Sequence, residues 1–426
     1  MVTGSDRAYD ADAPVLRQLS VRTVIEVFLE RGAVSRADLA KITGLSKQTT
    51  SEVIRQLEER GLVRPTGRAV GRVGRSAVTY ELDASAGAVL GLDLGATNIR
   101  LALADIKGGW VGELECPADR RGGRAVINQI TALKRRLLDE TGVAPGKLRR
   151  AAVAMPGVVD PRTGTLSLAP NMVGVEGIDL LGTFRELLGC DVTIENDINS
   201  AAVGEFWRGH GAAASSLAFV SLGTGIGLGL LINGKLLRGA TGAAGEISYL
   251  PFGTDPFAPL SLERGALECA IGAAGIAQRY VMAGGAPGTS VRDIVERSRR
   301  GDGAARATIN ETARIATLLI VTIQSMFDPE RIIIGGNIGR GADMAALIRD
   351  TLPQCSRRPI EIEESLLGHR APVIGAVAIA LGHLHESLFS PQDLPGRLQL
   401  PNGSSSALGP DPSQQQQRGS HIRSFS

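Results

Sequence analysis

Two stretches of this 426-residue chain read alike, and their likeness constrains the fold more than any other feature. "VLGLDLGATNIRLALADIKG", Val89 to Gly108, and "LAFVSLGTGIGLGLLINGKLLRG", Leu217 to Gly239, each give an apolar strand, a tight glycine-threonine turn and a second strand. Their recurrence predicts a duplicated α/β domain that grips phosphate between its halves. In the first turn Asp93 can face a metal or a phosphate, Gly95 lets the main chain come close, and Thr97 offers a hydroxyl and an amide. Gly223, Thr224, Gly225 and Gly227 are placed at the second strand turn. D-x-G-x-T alone would match any acidic β-turn, so the argument rests on what accompanies it.

Three more segments fit the same plan. "AAVAMPGVVDPRTG" is a buried strand followed by Pro156, Gly157 and Asp160, and "VTIENDINSAAVGEF" is a strand that delivers Asn196 and Asp197 into a helix of small residues. "PERIIIGGNIG" ends a strand on Gly335 and Gly336. The apolar stretch "ATINETARIATLLIVTIQSMF" suits a core or an interface.

The front of the chain follows a different grammar. "VLRQLSVRTVIEVFLERG" puts Val24, Ile25, Phe28 and Leu29 on one helical face and stops at Gly32. "SRADLAKITG" opens with Ser35 as cap and Asp38 three residues on, carries the apolar Leu39 and Ile42 and ends at Gly44. "SKQTTSEVIRQLEERG" is capped by Ser46, buries Val53, Ile54 and Leu57, and stops at Gly61. Three short capped helices in this order predict a helix-turn-helix whose third helix carries Lys47, Gln48, Ser51 and Arg55 outward.

Between Arg60 and Tyr80 lie five arginines and no acidic residue, in a glycine-punctuated hairpin that reads as a wing along DNA. Lys47 and Gln48 would approach base edges, while Arg68, Arg72 and Arg75 would hold phosphate or probe a minor groove. Charge agrees: residues 15–80 hold twelve Lys/Arg against six Asp/Glu, in a chain whose net charge is only +2.

The four cysteines (Cys116, Cys190, Cys269, Cys355) show no metal-ligand spacing and read as reduced thiols. No run of 18 apolar residues and no signal pattern is seen, which gives the expectation of a cytoplasmic protein without a membrane partner. Residues 1–14 and the tail from 391 to 426, rich in Pro, Gly, Ser and Gln, read as disordered.

At this point the sequence resembles the ROK family (repressors, open reading frames and kinases) from about Leu16 to Leu388. The resemblance is carried by the helix-turn-helix in front, "DLGATNIR", "PGVVD", "END" at Glu195 to Asp197, "GTGIG", "GAAGEI" and "GALE". It implies a winged helix-turn-helix over residues 15–82 followed by a two-lobed, actin-like α/β domain over 87–390. Lobe one would take about 87–195 plus 374–390, and lobe two about 196–373. It further implies that Asp197 is the kinase general base, that Asn196 holds a neighbouring hydroxyl, and that Glu246 and Glu268 accept hydrogen bonds from sugar hydroxyls. Asp93, Gly95, Thr97, Gly223, Thr224, Gly225, Gly335 and Gly336 would face nucleotide phosphates.

The sequence departs from the family at one wall of the sugar pocket. Where kinases and many repressors of the family have Gly-His, Ser248 and Tyr249 stand here. The cysteines of the family's C-x-C-G-x-x-G-C zinc motif are replaced by "PFGTDPFAPLSLERGA", so no zinc is expected. Phe252, Phe257, Leu260, Leu262 and three prolines are then expected to fix the loop by packing, and Tyr249 either contacts the sugar or fills the vacated zinc site.

These features predict a sugar-responsive transcriptional regulator, a repressor, with Asp197 a vestigial base at most. Operator DNA and a sugar or sugar phosphate are the expected partners, in a homodimer or homotetramer that requires no cofactor. The alternative is an active hexose kinase using Mg-ATP with a fused DNA-binding module. A third reading, a ligand-independent DNA-binding scaffold, leaves Asp197, Glu246 and Glu268 without a polyhydroxyl partner.

Overall fold

The computed structural model describes residues 15–68, 77–159, 166–167 and 179–389. Arg72, Arg75 and Asp160, the first 14 residues and the tail lie outside the described residues.

The amino-terminal module is three helices and a small sheet: α1 (Val15–Arg31), β1 (Val34–Ser35), α2 (Arg36–Thr43), α3 (Lys47–Glu59), β2 (Val63–Arg68) and β3 (Val78–Leu82). Both serine caps form, Ser35 Oγ accepting from the Asp38 amide at 3.1 Å and Ser46 Oγ from the Thr49 amide at 3.0 Å. Gly32, Gly44 and Gly61 turn the chain with φ between 64° and 72°, a conformation that costs glycine least. Val24, Ile25, Phe28, Leu39, Val53, Ile54 and Leu57 are buried in one core. Burying a side chain of this size contributes about 1.5–3 kcal/mol. Leu29 and Ile42 do not join it, at 39% and 38% exposure. Leu29 lies a further 100° around the helix from Phe28, at the flank of the stripe. β3 runs antiparallel between β1 and β2, so β2 and β3 form the arms of the wing.

The rest of the chain holds two five-stranded sheets with one topology. The first consists of β4 (Ala88–Leu94), β5 (Asn98–Asp105), β6 (Trp110–Pro117), β7 (Leu148–Met155) and, after the short ladder of β8 (Val158–Val159) with β9 (Leu166–Ser167), β10 (Asp191–Asn196). The second consists of β11 (Leu217–Leu222), β12 (Ile226–Ile232), β13 (Lys235–Leu236), β14 (Arg331–Gly335) and β15 (Ile362–Glu364). Their orders are β6-β5-β4-β7-β10 and β13-β12-β11-β14-β15. In each, three antiparallel strands joined by tight turns meet two parallel strands reached by helical crossovers.

α4 (Gly123–Thr141) and α5 (Leu180–Leu188) cover the outer face of the first sheet. On the second, the outer cover comes from α8 (Ala266–Ile271), preceded by the short α7 (Pro259–Arg264) that packs on it, and from α9 (Ala273–Met282), α10 (Val291–Arg299), the long α11 (Gly303–Phe327), α12 (Gly336–Gly341) and α13 (Met344–Thr351).

Between the sheets lie two helices, with α6 (Asp197–Arg208) on the second sheet and α14 (Ala371–Phe389) on the first. Gly227 sits inside β12 and not at the turn, and it leaves room for α6, since a Cβ there would meet Ile198 Cδ1 at 2.3 Å. Among the described residues, the segment Gly368–Leu388 is long and apolar enough on average to cross a membrane, although His369, Arg370, His383, His385 and Glu386 interrupt its apolar residues, so no unbroken run of 18 exists. Its apolar faces are spent on β4, β7 and α6, as in the core helix of a globular domain.

Candidate functional site

The structure presents two candidate sites, the exposed face of α3 and an acidic cleft between the sheets. On α3, Lys47 and Gln48 are exposed in the first turn and Ser51 is half-buried. Arg55 is exposed but engaged, its guanidinium donating to Glu52 at 2.7 Å and to Glu59. These two carboxylates hold it fully protonated, and they compete with any phosphate for its charge. Arg68 ends β2, at the tip of the described wing.

The cleft is built where α6 begins. The Asn196 side chain caps that helix, Oδ1 accepting from the amides of Ile198 and Asn199 at 2.9 and 3.0 Å while Nδ2 donates to the Gly157 carbonyl at 2.9 Å. The cap fills the acceptor that the family role would offer to a sugar hydroxyl, leaving one N–H. Asp197 follows in the first turn, and burial pushes its carboxyl above the usual range despite a hydrogen bond from the Ile198 amide.

Glu246 and Glu268 face the same field. Burial is the main cause raising Glu246, reinforced by the charges of Glu268 and Asp197. Burial also raises Glu268, opposed by the Ile226 amide, which donates to its Oε2 at 3.2 Å. Glu268 thus sits directly beneath the Gly223–Gly225 turn, joining the acidic wall to the candidate phosphate loop. Among the described residues no three His, Cys, Asp or Glu side chains converge as a metal-ion site.

On the other loop, Asp93 is buried at 4% exposure and its Oδ2 accepts from Arg100 Nη1 at 3.0 Å; Arg100 also donates to Glu115 at 2.7 Å. Burial dominates over the guanidinium and pushes Asp93 up to about 7. Thr97, Thr224 and Gly225 are exposed, and a Cβ on Gly223 would meet nothing nearer than 3.6 Å, so the loops fit the approach of a phosphate chain. The Gly95 and Gly223 amides already donate to the Asn98 and Gly225 carbonyls of their own turns, at 3.1 and 3.0 Å, so a phosphate chain would meet the exposed Thr97, Thr224 and Gly225. Gly335 and Gly336 have a packing reason of their own: added Cβ atoms would strike the Phe219 ring at 2.3 Å and the Leu222 carbonyl at 2.3 Å.

The loop that replaces the zinc motif is held differently from the sequence expectation. Phe252 packs on the core of the second lobe, but Phe257, Leu260 and Leu262 are 85%, 48% and 68% exposed. Backbone contact takes their place. Gly265, at φ +90°, brings the end of α7 against the Ser248 carbonyl, 2.1 Å from where a Cβ would be, and Thr254 Oγ1 donates to the Ala266 carbonyl at 2.8 Å. The Tyr249 hydroxyl donates to the Glu263 carbonyl at 3.2 Å, so its hydrogen is committed to bracing this loop.

Glu195 and Arg238 form a pair that no local sequence pattern reveals. Glu195 is buried, its Oε1 accepts from the Asn196 amide and from Asn199 Nδ2, and its Oε2 accepts from Arg238 Nε at 2.8 Å and pairs with Nη2 at 2.7 Å. Arg238 starts the loop that ends in Glu246, so this pair ties the two walls of the cleft together. Arg238→Ala is expected to lower sugar affinity about tenfold or more and reduce thermal stability, because it strips a partner from a buried carboxylate. Arg238→Lys should recover part of both; calorimetry beside a thermal melt checks it.

Residues 89–383 match the ROK family and residues 23–75 the MarR family. The xylose repressor of Caldicellulosiruptor bescii is 25% identical over 392 residues, covering 87% of this chain and 97% of that protein. The glucokinase of Halalkalibacterium halodurans is 28% identical over 270 residues, covering 60% of this chain and 81% of that enzyme. In structure, a ROK family transcriptional regulator homologous to the Escherichia coli MLC protein aligns with a TM-score of 0.71 at 21% identity, over 88% of this chain and 98% of its own. With seven-tenths of its length matched and the same two-sheet domain behind a winged helix, the chain belongs to the ROK family.

Proposed function

We propose that this protein is a sugar-responsive, DNA-binding transcriptional repressor of carbohydrate metabolism, acting in the cytoplasm as a dimer or tetramer. In this reading the ROK domain senses a sugar or sugar phosphate in the Asp197, Glu246 and Glu268 cleft. The observation that carries it is the winged helix joined to that cleft in one chain, with 87% of this chain covered by a xylose repressor and 60% by a glucokinase. Loss of the family's histidine and cysteines at Tyr249 and Ala266 supports a sensor over a catalyst. The kinase reading is favoured by one feature, an aspartate kept at position 197 beside open phosphate loops.

DNA reading by α3 is tested on operator fragments selected from the protein's own genome. Lys47→Ala together with Gln48→Ala is expected to weaken specific binding by about 2–4 kcal/mol, roughly 30- to 1000-fold, and to flatten the salt dependence by about one charge. Unchanged binding by the double variant would count against α3 as the reading helix.

A further inference from the structure

α14 touches every part of the molecule that a sugar-controlled DNA switch needs. Its first half lies against α6 with no side chain between the backbones. A Cβ on Gly375 would stand 1.6 Å from the Ser200 carbonyl, and one on Gly204 of α6 would stand 2.4 Å from the Ala371 carbonyl. On its opposite side a Cβ on Gly91 of β4 would stand 2.7 Å from the Val373 carbonyl. Helices in backbone contact cannot absorb a displacement by changing rotamers, so α6 and α14 shift together. α6 begins at Asn196 and Asp197, in the cleft.

The last turns of α14 leave the cleft and reach the DNA-binding module. His383 Nδ1 shares a hydrogen bond with Thr193 Oγ1 of β10 at 2.8 Å, and His385 Nε2 donates to the Ile106 carbonyl at 2.7 Å. Leu388 packs on the winged-helix core and on the first lobe's core at once, beside the contact of α1 with α14. A second tie lies across the module: Lys107, in the β5–β6 turn, donates to Glu81 of β3 at 3.1 Å and holds that carboxyl below its usual range.

We propose that α14 is the relay between sugar and operator. Sugar bound at the start of α6 tilts α6 and α14 as one body, and Leu388, with the Lys107–Glu81 pair as pivot, re-aims α1 and α3. This rests on the regulator reading given above. It adds a route that lies wholly within one subunit.

The test uses the full chain with Leu388→Ala and Lys107→Ala combined. Operator affinity is measured by fluorescence anisotropy with and without each of glucose, xylose, N-acetylglucosamine and their phosphates, and sugar affinity by calorimetry. The wild type is expected to show a tenfold or larger shift with one of these sugars, and the double variant a shift below twofold, with its sugar affinity within threefold of wild type. A wild-type shift retained in the double variant would overturn the relay alone, whereas a wild type unmoved by every sugar would overturn the regulator reading itself. Hydrogen exchange on the unaltered protein keeps the test open if the double variant fails to fold. Sugar should change exchange in residues 384–388 and 18–31, and an effect confined to the cleft would refute the relay.

Discussion

Glu268→Gln is expected to raise the sugar concentration needed to change operator binding about 10- to 100-fold while leaving operator affinity in the absence of sugar unchanged. The substitution keeps the size of the side chain and an oxygen for the Ile226 amide, so the Gly223–Gly225 turn stays in place. What it removes is the charge that a sugar hydroxyl would meet, and a hydrogen bond to a charged group is worth about 1.5–3 kcal/mol. Sugar affinity should fall about 10- to 100-fold by calorimetry. Loss of operator binding in the same variant would contradict the separation of the two sites.

Asp197→Asn is expected to stabilise the sugar-free protein at pH 8 while weakening sugar binding by about tenfold. The folded protein disfavours the ionised form of Asp197, and of Asp93, Glu246 and Glu268, because burial raises all four. A carboxyl raised in this way contributes stability that is fully present below its unfolded value, near 4, and is lost as pH rises through its folded value. For Asp93 that window closes at about 7. Thermal melts without sugar should therefore fall between pH 5 and pH 8, and Asp197→Asn should flatten the fall. Added sugar, whose hydroxyls donate to the ionised acids, should stabilise the wild type more at pH 8 than at pH 5. A wild-type melting temperature that rises across this range would contradict the reading of the cleft as a set of strained carboxylates.

What the sequence revealed and what it hid divide along the distance over which residues act. The Ser35 and Ser46 caps were readable because both partners lie within one turn, and the helix stops at Gly32, Gly44 and Gly61 for the same reason. The duplication was readable because β4–β5 and β11–β12 repeat a local pattern, although Gly227 proved to be a packing glycine under α6. The Glu195–Arg238 pair was not readable, since its members lie 43 residues apart and only the folded sheet brings them together. Arg55 shows what a neighbour adds: an outward arginine that reads as a DNA contact also pairs with Glu52 and Glu59 along the helix. Phe257, Leu260 and Leu262 were misassigned because apolar residues in a loop that had lost zinc suggested packing, whereas Gly265 and Thr254 hold that loop through the backbone. Asn196 combines both lessons, its place in the cleft legible from "END" and its capping bonds visible only in the fold.

The central claim, that the cleft senses sugar and does not consume it, is most directly tested by titrating purified protein with hexoses, pentoses, amino sugars and their phosphates in the presence of Mg-ATP. Operator affinity and ADP release are followed in the same samples. The account predicts that one class of sugar changes operator affinity at least tenfold with no ADP released above the sugar-free rate. Sustained ADP release that disappears in Asp197→Asn would contradict it and make this protein a working kinase that carries a DNA-binding module.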